Sequence, residues 1–157
     1  MTSLAERRAA RYERITTQLR ELIEGESPDL IAAMATICAV LHAKMPHHFW
    51  TGFYFLTASG DLHVGPYQGP VACQVLSGRG VCLRAAETRA PVVVHDVEHF
   101  QGHIACDARS RSEIALPVLH DGEVVAVFDV DSDEQGQFSD ADVAPLERIL
   151  ALLEPVL

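Results

Sequence analysis

The 157-residue sequence predicts an α+β domain in which N-terminal and C-terminal helices pack on a central antiparallel sheet. Three observations support this fold class. Apolar residues recur at helical spacing before Pro46, strand-like runs separated by turn residues fill the middle of the chain, and helical spacing returns after Ser139. The length and the 48% hydrophobic content suit a chain with one core, so we expect residues 1–157 to form a single domain.

Two helices are predicted at the N-terminal end. Ser3 and Glu6 form a capping box at the start of the first helix, and Gly25 is typical of a helix end. Ser27 with Pro28 is expected to open the second helix, because proline is tolerated at the first helical position.

Cys38 lies on the apolar face predicted for the second helix, together with Leu30, Met34 and Leu41. We therefore expect it to be a small core residue without a chemical role. Two further helices are predicted, a short one over 81–88 and an amphipathic one that Ser139 caps.

The sheet is predicted from short runs rich in β-branched and aromatic residues. The expected strands are 51–56, 61–65, 92–94, 113–119 and 123–130. Residues 65–80 are rich in glycine and proline and are predicted to be mostly loop. Residues 95–111 form a second long loop, and long loops in compact domains are often functional.

The net charge is −10, with 22 acidic residues against 12 basic ones. This balance argues against nucleic acid as a partner, since phosphate binding needs a basic surface. Residues 1–11 do not resemble a secretory signal, and no apolar stretch is long enough to span a bilayer. We expect a cytoplasmic protein without membrane association, whose four cysteines are thiols, metal ligands or redox groups.

Three of the cysteines lie in predicted polar or glycine-rich segments. Cys106 has Arg109 and Arg111 nearby, and cations lower the pKa of a thiol and make it a nucleophile. Cys82 lies near a predicted helix N-terminus, which would also favour the thiolate. With Cys73, these thiols could support nucleophilic attack followed by disulfide formation.

Two carboxylates continue an apolar face of the last predicted strand. Alternate residues share a face, so Val125, Val127, Asp129 and Asp131 are expected to point one way and Phe128 the other. A buried carboxylate without a partner shifts its pKa, which makes this pair a candidate functional site.

The turn before this strand decides which acids meet. We predict a three-residue turn over 120–122, which would place Glu113 opposite Asp129 and gather three acids on one face. A two-residue turn over 121–122 would place Glu113 on the other face, and a bulge near Pro117 would change the count.

A metal site is the competing interpretation. The residues His95, His99, His103 and Cys106 would share one face of a helix. Gly102 interrupts this run and valines precede it, so no helix aligns the four side chains and a zinc site is not expected.

A set of short motifs accompanies these thiols and acids. They are WTGFY (50–54), GPYQG (65–69), AC (72–73), GRGVC (78–82), GHIACD (102–107), SE (112–113), LP (116–117) and DVDS (129–132). In this combination the chain resembles, over nearly its whole length, the free methionine-R-sulfoxide reductase family, whose fold is a GAF domain. Residues 102–113 are the most specific part of the match.

The resemblance implies reduction of free methionine-R-sulfoxide, with no metal or other cofactor. The family's catalytic cysteine matches Cys106, and its other two cysteines match Cys73, expected to resolve, and Cys82, expected to be auxiliary. The matching substrate-pocket residues are Trp50, Tyr54, Glu113, Asp129 and Asp131. Family members are commonly homodimers recycled by thioredoxin, so both are expected here.

The implied chemistry suits these residue types. Attack by a thiolate on the sulfoxide sulfur needs a protonated or hydrogen-bonded oxygen, and clustered acids raise one another's pKa so that one can carry the proton. Another acid can bind the ammonium group of the free amino acid, while Trp50 packs the S-methyl group. Two alternatives remain: a non-enzymatic GAF domain that binds a small ligand or senses thiol oxidation, and a metal-dependent hydrolase that uses the histidines.

Overall fold

Six antiparallel strands form one sheet in the order β3-β2-β1-β6-β5-β4. The structure is a computed structural model, and it describes residues 1–103 and 105–157. The strands are β1 Trp50–Leu56, β2 Leu62–Gln68, β3 Val75–Leu76, β4 Val92–Val94, β5 Ser112–His120 and β6 Glu123–Ser132. The helices are α1 Leu4–Ile23, α2 Leu30–Lys44, α3 Val81–Thr88 and α4 Asp140–Leu150, with 3₁₀ turns at Val97–His99 and Ala151–Val156. The predicted α+β class with an antiparallel sheet is confirmed.

The start of α2 differs from the prediction. The capping box of Ser3 and Glu6 is present at the start of α1, as predicted. The second helix, in contrast, is capped by Asp29, whose side chain accepts a hydrogen bond of 2.8 Å from the backbone N–H of Ala32. The expectation that Ser27 and Pro28 open α2 is therefore wrong, because the carboxylate nearest the first turn satisfies a free N–H group.

The second strand continues into the segment that was predicted as loop. β2 runs through Gly65 and Pro66 to Gln68, and the short strand β3 pairs with its beginning. Gly65 is required by packing, since a Cβ atom there would lie 2.7 Å from the ring of Phe55 on β1. Gly65 therefore indicates that a neighbouring side chain packs closely against this strand. It does not indicate a loop.

The hairpin between β5 and β6 has another register than predicted. Asp121 and Gly122 both have positive φ and form a two-residue turn that pairs His120 with Glu123. A bulge then inserts Val125 between two paired positions, so that Glu113 lies opposite Asp131. The predicted pairing of Glu113 with Asp129 is wrong, but the bulge returns Glu113 to the face that carries both aspartates.

Two cores lie on opposite faces of the sheet. The face that we call the helical face carries the larger core, formed by α1, α2 and α4 against β-strand residues such as Phe53, Phe128 and Val130. Val125 also packs on this side, so the prediction that it shares a face with Val127 and the two aspartates is wrong, because the bulge separates it from Val127. Cys38 is fully buried in this core, as predicted.

The face that we call the cleft face is covered by α3 and by the loop between β4 and β5. Its smaller core includes Trp50, Tyr54, Cys82 and Val127. In the described part of the chain, no helix combines the length and the apolar character needed to cross a membrane.

Candidate active site

A cleft opens on the cleft face, between the sheet, α3 and the 95–111 loop. Seven of the eight predicted site residues line it: Trp50, Tyr54, Cys82, Cys106, Glu113, Asp129 and Asp131. The eighth, Cys73, is bonded to one of them.

The strand register explains how these side chains converge. Trp50 on β1, Asp131 on β6 and Glu113 on β5 lie directly opposite one another and form a row across three strands. The next row on the same face places Asp129 between two small residues, Gly52 on β1 and Ala115 on β5. The indole of Trp50 occupies the space beside Gly52, and Asp129 lines the cleft next to it.

Cys73 and Cys106 form a disulfide, with a Cα–Cα distance of 5.4 Å. The bond joins the loop after β2 to the loop before β5, across 33 residues of sequence. The two remaining thiols, Cys38 and Cys82, are both buried. The structure therefore pairs the two cysteines to which the sequence assigned attack and resolution, at the edge of the cleft.

Cys82 is a buried thiol and not a stabilised thiolate. Its side chain lies in the first turn of α3 but is only 3% exposed, with Sγ at 3.8 Å from Oε1 of Glu113. Burial and the neighbouring acids Asp129 and Glu113 raise the pKa of the Cys82 thiol well above its ordinary value. The prediction that the helix N-terminus favours the thiolate is wrong here, because desolvation and nearby carboxylates outweigh the helix dipole.

Three acids share the floor and wall of the cleft. Glu113 and Asp129 are buried and Asp131 is half-buried. Burial, followed by the repulsion of the neighbouring carboxylates, raises the pKa of all three groups well above the ordinary range. The site therefore favours protonated carboxyl groups near neutral pH, which is what a proton donor requires.

Two residues of the 95–111 loop complete the acid cluster. The Nε2 atom of His103 lies 3.3 Å from Oε2 of Glu113, and the hydroxyl of Ser110 donates a short hydrogen bond to Oδ1 of Asp131. Sequence reasoning considered His103 only as a metal ligand and missed Ser110. Both contact acids that lie on strands outside the loop, and the sequence does not show such contacts. Their position in the long loop that carries Cys106 was the only sequence feature that could have indicated a role in the site.

An aromatic wall faces the acids. The indole of Trp50 stacks between Tyr54 and Tyr67, with ring centroids at 5.6 and 5.3 Å, and its Nε1 donates to the carbonyl of Pro70. Gly52 permits this arrangement, because a Cβ atom there would clash with the indole. Tyr67 was not predicted as part of the site. The wall offers a fixed apolar surface for a small alkyl group.

The arginines near Cys106 are engaged elsewhere. Arg109 binds both carboxylate oxygens of Asp107, at 3.0 and 2.8 Å, and lies over the ring of Phe49. Arg111 lies 3.4 Å from Glu98. Among the described residues, no lysine or arginine lines the cleft. Within the described lining, the acids of the cleft are therefore not paired with a lysine or an arginine.

The four residues of the alternative metal site do not form a cluster among the described side chains. His99 is exposed and pairs with Asp96 at 2.7 Å, His95 is exposed, and Cys106 is in the disulfide. The group of potential ligands that does converge is Cys82, Glu113 and Asp129.

Comparison with known proteins agrees with this architecture. The family model described as "GAF domain" matches residues 28–157. GAF domain-containing protein A of Dictyostelium discoideum is 41% identical over 144 residues, which is 91% of this chain and 90% of that protein. Free methionine-R-sulfoxide reductase of Escherichia coli (strain K12) is 38% identical over 147 residues, which is 93% of this chain and 88% of that protein.

A solved structure shows the same relationship. The free methionine-R-sulfoxide reductase of Neisseria meningitidis, crystallised in complex with its substrate, superposes with a TM-score of 0.89 at 35% identity, over 99% of this chain and 90% of that chain. The chain belongs to the free methionine-R-sulfoxide reductase family of GAF-domain proteins.

Proposed function

We propose that this protein reduces free L-methionine-(R)-sulfoxide to methionine with its own thiols. The observation that supports this most directly is the disulfide between Cys73 and Cys106, formed at the edge of a cleft that holds three acids and a stacked indole. Free methionine sulfoxide has a group that suits each of these elements. Its electrophilic sulfur can react with a thiol, its sulfoxide oxygen and its ammonium group can bind the acids, and its S-methyl group can pack on the indole.

The reaction begins with the dithiol form. The Cys106 thiolate attacks the sulfoxide sulfur while a carboxyl group protonates the sulfoxide oxygen. The oxygen is transferred to Cys106, which leaves methionine and a Cys106 sulfenic acid. The Cys73 thiol then attacks the sulfenic sulfur and releases water, so that the disulfide forms and two electrons have passed from the thiols to the substrate.

The contacts of the acids suggest how the roles divide. Asp131 accepts a hydrogen bond from Ser110, which stabilises its charged form, and it is more exposed to solvent than Glu113 and Asp129. It is therefore the better partner for the substrate ammonium group. Glu113 and Asp129 are more deeply buried than Asp131 and are better suited to hold the proton that the sulfoxide oxygen receives.

The remaining elements of the proposal concern the state and setting of the protein. A thioredoxin-like dithiol reduces the disulfide and restores the two thiols. The active form is a homodimer in the cytoplasm, and residues 1–157 act as one GAF domain. Dimer formation is tested by the mass of the protein in solution, measured by light scattering.

The function is tested by incubating the purified protein with each epimer of free methionine sulfoxide and a dithiol reductant. We expect consumption of the R epimer alone, and a loss of about a thousandfold in Cys106→Ser. Cys38→Ala is the matched control, because its thiol lies in the core on the other face of the sheet. Full activity in Cys106→Ser, or consumption of the S epimer alone, would contradict the proposal. Binding of the sulfoxide without consumption would favour the non-enzymatic GAF domain.

The resolving thiol is tested with a single turnover. We expect Cys73→Ser to release about one methionine per chain and then to stop as the sulfenic acid, which a dimedone adduct detects by mass. Formation of a Cys82–Cys106 disulfide in that variant would instead assign resolution to Cys82.

A further inference from the structure

One group of side chains in the cleft has the composition of a metal site. We call Cys82, Glu113 and Asp129 the Cys82 cluster. One potential ligand atom from each residue lies within 4.8 Å of the other two, and all three residues are buried. The sulfur of Cys82 lies 3.8 Å from Oε1 of Glu113.

These distances are close to those of an occupied zinc site. Zinc–sulfur and zinc–oxygen bonds of about 2.3 and 2.0 Å at a tetrahedral angle place the two ligand atoms about 3.5 Å apart. The sulfur and Oε1, at 3.8 Å, approach this separation, and the ligand atom of Asp129 lies within 4.8 Å of both.

An unpartnered oxygen points to a missing ligand. Asp129 is 5% exposed, and its Oδ1 atom has no hydrogen-bond partner among the described residues. A buried carboxylate oxygen without a partner is rare, because it has lost water without gaining a replacement. A cation held by the Cys82 cluster would give the Asp129 carboxylate the partner that it lacks.

The surrounding charges favour a cation as well. The described lining of the cleft contains no lysine or arginine, and Asp131 adds a further carboxylate beside the cluster. His103 lies at 3.3 Å from Oε2 of Glu113 and fixes the carboxylate from its other side. Oε1 is thereby left facing the thiol, in the way that outer partners orient metal ligands.

We propose that Cys82, Glu113 and Asp129 bind one thiophilic divalent cation of the zinc class, such as Zn²⁺ or Cd²⁺. The Cys82 thiol and the carboxyl groups of Glu113 and Asp129 release their protons to the solvent as the metal–ligand bonds form, and no electron is exchanged. A thiolate with carboxylates selects this class over Mg²⁺ and Ca²⁺, which prefer sites made of oxygen alone. The cation binds whether or not Cys73 and Cys106 are joined, since neither is a ligand.

The site is tested with Cd²⁺ and the tag-free protein in its disulfide form, so that Cys38 and Cys82 are the only free thiols. We expect one Cd²⁺ per chain by calorimetry and an ultraviolet thiolate-to-cadmium absorption band. Cys82→Ser should lose the band and bind at least about tenfold more weakly, and Asp129→Asn should bind about tenfold more weakly. Circular dichroism establishes that both variants are folded.

Cys38→Ala and the exposed Asp133→Asn are the matched controls, and neither should change the affinity. Absence of stoichiometric binding to the unmodified protein would overturn the proposal. An unchanged band in Cys82→Ser would overturn it too, because the thiolate would then come from elsewhere.

One consequence rests on the proposed function. Because the cation and the substrate would use the same acids, Zn²⁺ should inhibit turnover competitively, and free methionine sulfoxide should weaken Cd²⁺ binding to the disulfide form. The two proposals fail separately: activity without Cd²⁺ binding defeats the metal site alone, and Cd²⁺ binding without activity defeats the reductase alone.

Discussion

The two faces of the sheet treat a buried carboxyl group in opposite ways. On the helical face, Asp142 accepts hydrogen bonds from the hydroxyl of Tyr12 at 3.0 Å and from the backbone of Ser139 at 2.8 Å, and Arg8 lies at 3.6 Å. On the cleft face, Asp129 is as deeply buried, yet its Oδ1 atom has no partner among the described residues. One carboxylate is part of the scaffold, and the other is available to a ligand.

Adjacent residues of a single strand carry this difference. Phe128 and Val130 of β6 are fully buried against the helices, while Asp129 between them faces the cleft. Residues on one face of β6 thus stabilise the fold, and a residue on the other face lines the candidate active site. Groups that destabilise the folded protein are characteristic of functional sites, which are rarely optimised for stability.

The largest expected effect comes from the helical face. Phe128→Ala should lower the free energy of unfolding by about 3–5 kcal/mol, because it leaves a cavity beside the ring of Phe53, whose centroid is 5.0 Å away. Denaturant unfolding of the disulfide form measures this loss. Leu119→Ala on the same hairpin, where the side chain is exposed, should cost below about 0.5 kcal/mol.

The activity of the folded Phe128→Ala protein should stay close to that of the unmodified protein. A fall in kcat/KM comparable to the loss in stability would show that the two faces are not independent.

The most direct test of the difference between the two faces replaces one buried aspartate with asparagine on each face. Asp129→Asn should raise the free energy of unfolding at pH 7.5 by about 1–2 kcal/mol, because it removes a buried carboxyl group with one oxygen that has no partner among the described residues. Asp142→Asn, the matched control, should lower it by about 1–3 kcal/mol, because hydrogen bonds to a charged acceptor are lost. Changes of the same sign at both positions would contradict the distinction.

The pH dependence of stability follows from the raised pKa of the cleft acids. The folded protein holds protons on Glu113, Asp129 and Asp131 that the unfolded chain releases above about pH 4. Their contribution is complete below that pH and is lost as the pH rises through the folded-state pKa values. The free energy of unfolding should therefore fall with rising pH, and less steeply in Asp129→Asn. Equal slopes in both proteins would refute this assignment.

A smaller effect is expected where a single hydrogen bond of the scaffold is removed. Tyr12→Phe should cost about 1 kcal/mol of stability, since its hydroxyl donates to Asp142 in a buried setting. Thermal unfolding at neutral pH measures this change. A variant as stable as the unmodified protein would show that Arg8 and Ser139 alone satisfy the carboxylate.

The smallest effect is expected at the edge of the cleft. Ser110→Ala removes the hydroxyl that donates to Asp131, so the pKa of Asp131 should rise further and the pH profile of kcat/KM should shift upward. At neutral pH we expect a loss of about threefold in kcat/KM, with unchanged stability. The exposed Ser59→Ala is the control, and an unshifted profile in Ser110→Ala would exclude the hydroxyl from the role proposed here.

Local signals predicted most elements. The capping box at Ser3, the helix Val81–Thr88 and the helix after Ser139 all occur as expected, because each depends on hydrogen bonds or periodicity among neighbouring residues. The strand Val92–Val94 also occurs as expected, since three β-branched residues in a row favour an extended backbone. Elements that depend on distant partners were missed. Residues 65–68 resembled a loop until β1 and the ring of Phe55 were placed beside them.

The candidate site divides in the same way. The motifs identified the thiols, the acids and Trp50, and the structure brings these residues together. Ser110, His103 and Tyr67 could not be assigned, because they meet their partners only across loops and strands. The predicted hairpin register differs from the observed one by two residues, since Pro117 indicated that a bulge could occur nearby but not where it would fall.

By itself the sequence determined the fold class, the alternation of apolar and acidic residues along β6, and the set of thiols available for chemistry. These properties depend on residue type and on spacing along the chain, which hydrogen bonding and side-chain periodicity translate directly into local structure. Only the tertiary structure decided that Glu113 lies opposite Asp131, that Cys73 is bonded to Cys106, and that Cys82 stays protonated. Strand register and disulfide pairing depend on which distant segments come into contact. The protonation of Cys82 depends on how far these contacts exclude water from its thiol.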